Sequence, residues 1–384
     1  MKAILQLALI LLLSASAVAS AQEQEYQASD TNVRSVTICI AEEQSAVTIE
    51  GKALHFFKEP SEELIPKAKN KNRYTVMAAD KGLLVDGVQT GSKRLRVRST
   101  MGYIIYKGKS FREDMIIVID EEQPNRLILV NEIGMESYLY GLINKECLPS
   151  WSLEAKKAQA VAARTYAMYR KLERPSLYCD LGHTAVDQVY GGLDAEDAKS
   201  RKAVRETHGE VLTYASHIVK SYYHSNCGGR TASAAEVWGT EEPYLPGVKC
   251  DYCKNTTSYR WDYKISVAKL AQKLNVPSKL GKRFFLDIAK RSKSGRAQTI
   301  RLKYAGHSET MTGEEFRSTL GYGNIRSTLF TFSKTGSTYI FKGRGSGHGV
   351  GMCQWGSSVM AKQGHDYREI LYYFYPGTII RRVY

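Results

Sequence analysis

Glu146 closes a stretch whose spacing can place a single carboxylate in an apolar setting. In Met135-Glu136-Ser137-Tyr138-Leu139-Tyr140-Gly141-Leu142-Ile143-Asn144-Lys145-Glu146, the residues Met135, Leu139, Leu142 and Ile143 recur at helical spacing. Glu146 follows Leu142 by four positions and Ile143 by three, so it shares their stripe. Pro149 disfavours helical geometry at the residue before it, and the helix is expected to end near Glu146. A carboxylate there meets desolvation and the negative end of the helix dipole, both of which disfavour its charged form. Such a group suits general acid catalysis near neutral pH. The plain alternative is a structural glutamate paired with Lys145 or Lys157, since structural groups also have shifted pKa values.

Three further segments carry polar groups at close spacing. Gly345-Ser346-Gly347-His348-Gly349-Val350-Gly351-Met352-Cys353-Gln354-Trp355-Gly356 alternates glycines that permit close backbone approach, with His348 and Gln354 as polar handles. It lacks the Gly-Lys-Ser/Thr of a phosphate loop, and a plain surface turn is its alternative. Tyr222-Tyr223-His224-Ser225-Asn226-Cys227-Gly228-Gly229-Arg230-Thr231 sets aromatics beside amide, hydroxyl and guanidinium groups, including Ser225 and Arg230. That combination suits a sugar groove and equally an ordinary strand-turn-helix. Asp187-Gln188-Val189-Tyr190-Gly191-Gly192 again joins polar groups to a glycine pair.

The seven cysteines are Cys39, Cys147, Cys179, Cys227, Cys250, Cys253 and Cys353, an odd number. Cys250-Asp251-Tyr252-Cys253 has metal-ligand spacing, and Cys227 with a histidine such as His224 or His183 could complete a zinc site. A second Cys-x-x-Cys is missing, so the pattern favours a disulfide or redox pair. The expectation is no metal, with Cys227, Cys250 and Cys253 as the weak candidates.

The elements that must position these residues read as an α+β chain. An N-terminal β-rich domain precedes a mixed α/β catalytic core that carries a smaller inserted α+β module. The expected boundaries are 1–21 for a signal peptide, 30–133 for the β-rich domain, 134–384 for the core and 262–342 for the module within it. Strands are expected at 36–40, 46–49, 95–98, 103–106, 115–119 and 127–130. A helix is expected from Ser152 to about Leu172, with Ala158, Val161, Thr165, Met168 and Tyr169 as its buried face. In the module, helices are expected around Val267 to Leu274 and after the capping box Thr312-x-x-Glu315. Strands should cover 297–304, 328–332 and 339–341.

Lys2, the apolar run Ala3 to Leu13 and the small-residue pattern through Ala21 read as a secretory leader. The run is short for a membrane span of ~20 residues, so export to the periplasm or cell wall is expected, with membrane attachment only through an uncleaved N-terminus. Lysine and arginine total 54 against 39 acidic residues, a net charge of +15 over 384 residues. Such a surplus favours polyanions. No zinc finger or RNA-recognition motif supports nucleic-acid binding, and an anionic wall is the better match.

Taken together, the segments resemble the stage II sporulation protein D family and its amidase-enhancer relatives. The resemblance rests on Leu129-Val130-Asn131 to Glu146, Glu154 to Ala167, Gln188-Val189-Tyr190-Gly191-Gly192, the Cys-Gly-Gly-Arg-Thr segment and the Gly-His-Gly-Val-Gly-Met block. It implies a peptidoglycan lytic transglycosylase acting on glycan strands stripped of stem peptides, with Glu146 as single acid/base. It also implies that Arg164, Gln188, Tyr190, Ser225, His348 and Gln354 line the groove, and that a cell-wall amidase is a potential partner. Separately from the resemblance, no cofactor is expected, with zinc at the cysteines as the alternative. A non-catalytic amidase enhancer is the alternative. Cys147 stands where the family usually has an apolar residue, and only Cys179 and His183 remain where some relatives bind zinc.

Overall fold

The computed structural model describes residues 34–66, 71–173, 177–277, 284–304 and 306–384. The expected leader, 1–21, lies outside them. The fold is α+β. Cα packing separates two units: residues 1–149, 163–211 and 381–384 form the first, and residues 150–162 and 212–380 the second.

The first unit carries two six-stranded sheets. One has the spatial order 181–182, 35–44, 126–134, 114–119, 94–99, 54–58; the other runs 88–89, 82–85, 73–79, 46–50, 103–106, 109–112. Every strand expected before residue 131 falls inside one of these. Strands at 54–58, 73–79, 82–85, 88–89 and 109–112 add to them. From Ser35 to Ile40 burial alternates residue by residue, as a strand with one covered face requires. Met115 to Ile119 is buried without alternation, so that strand is covered on both faces.

Two neighbours of Ser35–Gln44 lead into the chemistry-bearing segments. Arg126–Gly134 pairs antiparallel to it from Ser35↔Gly134 and passes directly into helix α1, Met135–Glu146. Leu181–Gly182 pairs parallel to it at Ile38↔Leu181, and a Cys39–Cys179 disulfide joins the same two segments. The chain then runs on to Gln188–Gly192. Register, and not sequence proximity, thus decides where that loop begins relative to α1.

Helix α2, Leu153–Glu173, matches its expected span, and Ser152 Oγ accepts from the Ala155 N–H at 3.4 Å. Its burial does not match. The one-sided face expected is too narrow, because every residue from Ala158 to Met168 is buried. Alanines keep the helix slim, and its polar residues find partners in the interior.

In the second unit, the strands Arg260–Ser266 and Thr338–Arg344 pair antiparallel, with Asp262 opposite Lys342. These two strands and the segment between them share a core around Leu270, Phe284, Ile300, Phe316 and Phe341. Thr312 and Glu315 cap the helix Gly313–Leu320 reciprocally. A separate core gathers Ala158, Val161, Ala162, Val350, Met352, Phe374 and Tyr375 with four cysteines.

Candidate functional site

α1 ends at Glu146. Cys147 turns to extended geometry while its N–H still reaches the Ile143 carbonyl at 2.8 Å. The Glu146 side chain is half-buried, and its Oε1 accepts from the Val189 N–H at 2.7 Å. A backbone donor fixes a carboxylate's direction better than a long flexible side chain does, because the peptide has no rotamer freedom to lose.

The Gln188-Val189-Tyr190-Gly191-Gly192 segment is seated on α1 along its whole length. Tyr138 Oη donates to Gln188 Oε1 at 2.9 Å, and Gln188 Nε2 donates to the Ala163 carbonyl at 3.1 Å. Tyr190 Oη donates to Asn131 Oδ1 at 3.1 Å, and the Gly191 N–H reaches the Gly141 carbonyl at 3.1 Å. The Tyr190 ring packs on Tyr138, with centroids 5.2 Å apart. A Cβ on Gly141 would lie 2.5 Å from the Gly192 oxygen and 2.8 Å from the Tyr190 ring. Glycine at 141 therefore sets how closely the loop approaches the helix, and through Val189 how Glu146 is aimed. Burial pushes the Tyr138 and Tyr190 phenols upward, so both remain protonated donors.

The other end of α1 is anchored by an ion pair. Arg164 is fully buried; its Nε and Nη2 donate to the two Glu136 oxygens at 2.8 and 2.6 Å, and its Nη1 to the Glu210 carbonyl at 3.0 Å. Glu136 also accepts from Tyr384 Oη at 2.6 Å. Burial pushes the Glu136 carboxyl up, but Arg164, the Tyr384 hydroxyl and the Gly209 N–H outweigh it and hold it below the usual carboxylate range.

These positions correct part of the expected groove. Arg164, Gln188 and Tyr190 are interior residues at 0, 0 and 5 % exposure, and they hold α1 in place instead of lining a surface. Gln354 is also buried, with Nε2 donating to Gln159 Oε1 at 3.3 Å. Residue type misled here, because polar groups that suit a sugar equally suit one another. Ser225 is half-buried, and its carbonyl accepts from the Trp355 N–H at 3.0 Å. Arg230 is exposed. His348 packs beside Tyr222, His224 and Trp238. Its Nδ1 accepts from the Val350 N–H at 3.1 Å while Nε2 faces the Tyr223 carbonyl at 3.0 Å, which requires the neutral ring protonated on Nε2. Burial lowers its pKa to about 4.

Four other carboxylates, Asp180, Asp187, Glu236 and Asp251, have bonds of their own. Asp180 accepts from the Thr37 N–H and hydroxyl, both at 2.9 Å. Asp187 accepts from the Gly182 N–H at 2.9 Å and faces Arg170 at 3.5 Å. Glu236 accepts from the Ser294 N–H, and Asp251 pairs with Lys249 and Lys254. Cys147 is buried and unoxidised, while Cys179 is committed to its disulfide and so is not free for a metal with His183. A groove of about 840 Å³ lies along Arg260, Trp261, Lys264, Arg291, Lys342 and Arg344, and none of the expected site residues lines it.

Sequence reading missed Val189, Gly141 and Glu136, whose roles exist only once the loop and helix meet. It also missed Cys353, which joins Cys227, Cys250 and Cys253 in one buried cluster.

Residues 123–214 match the family model described as stage II sporulation protein, a span that holds α1, Glu146 and the Val189 loop. Residues 236–351 match a domain of unknown function. An uncharacterized protein of Brachyspira hyodysenteriae is 33 % identical over 359 residues, covering 92 % of this chain and 94 % of that one. The amidase enhancer of Bacillus subtilis is 30 % identical over 291 residues, 63 % of this chain but only 40 % of the enhancer. The stage II sporulation protein D of Bacillus subtilis is 30 % identical over 270 residues, 65 % of this chain and 75 % of that protein. With the Glu146 apparatus inside the matched segment and three quarters of that relative covered, the chain belongs to the stage II sporulation protein D family.

Proposed function

We propose that this chain is an exported lytic transglycosylase that cleaves the MurNAc–GlcNAc bond of peptidoglycan strands stripped of their stem peptides. The observation that carries this reading is Glu146, placed at the end of α1 and aimed by the Val189 N–H, within the segment shared with the family. A retaining hydrolase needs a second carboxylate about 5 Å away, and an inverting one needs a base for water. Asp180 and Asp187 accept from backbone N–H groups, Glu236 Oε1 accepts from the Ser294 N–H, and Asp251 pairs with Lys254. A transglycosylase needs only one carboxyl. Glu146 protonates the glycosidic oxygen as the C1–O bond breaks, the muramic 6-hydroxyl attacks C1, and the carboxylate takes back that hydroxyl's proton. The product is a 1,6-anhydro ring, and intramolecular attack replaces the second catalytic group. The net charge of +15 supports retention at an anionic wall.

Mass spectrometry of denuded glycan strands after incubation with wild type and Glu146→Gln tests this reading. Anhydro-muramic ends from wild type alone are expected; reducing ends would mean hydrolysis, and equal cleavage by both would remove Glu146 from the chemistry. The similarity to an amidase enhancer supports a second reading, recruitment or stimulation of a cell-wall amidase. Amidase binding and stimulation by folded protein, unchanged by Glu146→Gln and without glycan products, would favour it.

A further inference from the structure

We propose that Cys227, Cys250, Cys253 and Cys353 form a structural zinc site of four thiolates. Their sulfurs all lie within 4.8 Å of one another, and all four residues are buried. A tetrahedral ion with Zn–S near 2.3 Å sets its sulfurs about 3.8 Å apart, which this cage fits. An iron–sulfur cluster holds its cysteines around an inorganic core and needs a wider one. Three separate segments supply the ligands: the turn after Tyr223–His224 (Cys227), the stretch from Cys250 into the short 3₁₀ turn Tyr252–Asn255 (Cys250 and Cys253), and the N-cap of the helix Gln354–Lys362 (Cys353).

The surroundings are those of bound thiolates. The Cys227 and Gly356 N–H groups each lie 3.3 Å from the Cys353 sulfur, and the helix N-terminus adds its positive end. A Cβ on Gly356 would sit 2.9 Å from the Cys250 sulfur, so glycine makes room for that ligand. The Arg296 guanidinium is buried beside the cluster. It donates to the carbonyls of Cys227 and Arg230, at 2.8 and 3.1 Å, and forms no ion pair among the described residues. A zinc ion with four thiolates carries two negative charges, and Arg296 offsets one of them. Buried charge of this kind needs such a partner.

Redox chemistry points the same way. Cys39 and Cys179 are bonded, while these four sulfurs converge without bonding; the Cys227 and Cys253 sulfurs are 3.4 Å apart. As zinc enters, four S–Zn bonds form, four thiol protons leave to solvent, and no oxidant is required. The ion would staple the paired strands Tyr223–His224 and Met352–Cys353 to the Cys250–Cys253 turn. This holds whether or not the chain cleaves glycan.

Metal analysis of the full chain, purified without chelator, is the test. Close to one zinc per chain is expected, together with a thiolate-to-metal charge-transfer band after cobalt exchange. Cys353→Ser and Cys250→Ser should each lose stoichiometric zinc, whereas Cys147→Ser should keep it. Metal-free wild type that is folded and has these four cysteines in disulfides would overturn the proposal. So would zinc retained at full stoichiometry by Cys353→Ser, or cobalt spectra of the wild type without sulfur ligation; the wild-type metal content and cobalt spectrum do not depend on a variant folding.

Discussion

The end of α1 and the four-cysteine cluster are both polar interiors, and they solve the same problem in opposite ways. Around α1 each donor meets an acceptor from the chain itself: Tyr138 with Gln188, Tyr190 with Asn131, Arg164 with Glu136, and Val189 with Glu146. The cluster gathers four sulfurs, which as thiolates repel one another; the Cys227 and Gly356 N–H groups lie by the Cys353 sulfur. Buried polar groups must be paired, so the first region is complete by itself and the second calls for a cation. Among the groups around α1, Glu146 stands at the helix end and is half-buried.

Four experiments sharpen or break this comparison. Glu146→Gln should cost about 10²–10⁴-fold or more in glycan cleavage while leaving the circular dichroism spectrum and zinc content unchanged. A loss of zinc would mean that the two regions are not independent. Next, Arg164→Ala strands the Glu136 carboxylate in the interior and should destabilise by about 3–5 kcal/mol in urea unfolding. A change below about 1 kcal/mol would show that the pair is dispensable.

Gly141→Ala forces a methyl against the Gly192 carbonyl and should cost about 1–3 kcal/mol. Cleavage should fall further than stability explains, because the Val189 donor moves with the loop; unchanged turnover would detach that donor from the reaction. The smallest effect concerns acid. His348 is neutral in the fold with its pKa lowered to about 4, against ~6.5 when unfolded. The unfolded chain therefore binds protons first as pH falls. Stability should be intact above ~6.5 and decline towards pH 4, with solvent screening limiting the loss at this half-buried ring. His348→Gln should flatten that slope in thermal melts.

Much of this was legible because it is local. The stripe Met135, Leu139, Leu142, Ile143 with Pro149 beyond it placed Glu146 at a helix end, and the capping box at Thr312 and Glu315 started a helix where expected. The burial of Arg164, Gln188 and Tyr190 was not legible. A guanidinium, an amide and a phenol look alike in sequence whether their partner is a sugar or Glu136, Ala163 and Asn131. Cys353 escaped notice for a related reason: it is 126 positions from Cys227, and the zinc pattern read from sequence is a short-range one.

By itself the sequence determined the periodicities, the caps and the presence of one carboxylate at the right helix terminus, since these depend on neighbours within a turn or two. Only the tertiary structure decided which N–H aims that carboxylate, which polar residues are consumed in holding its helix, and which cysteines share a cage. Those depend on strand register and on close approach at Gly141 and Gly356, where segments far apart in the chain come within hydrogen-bond or ligand distance.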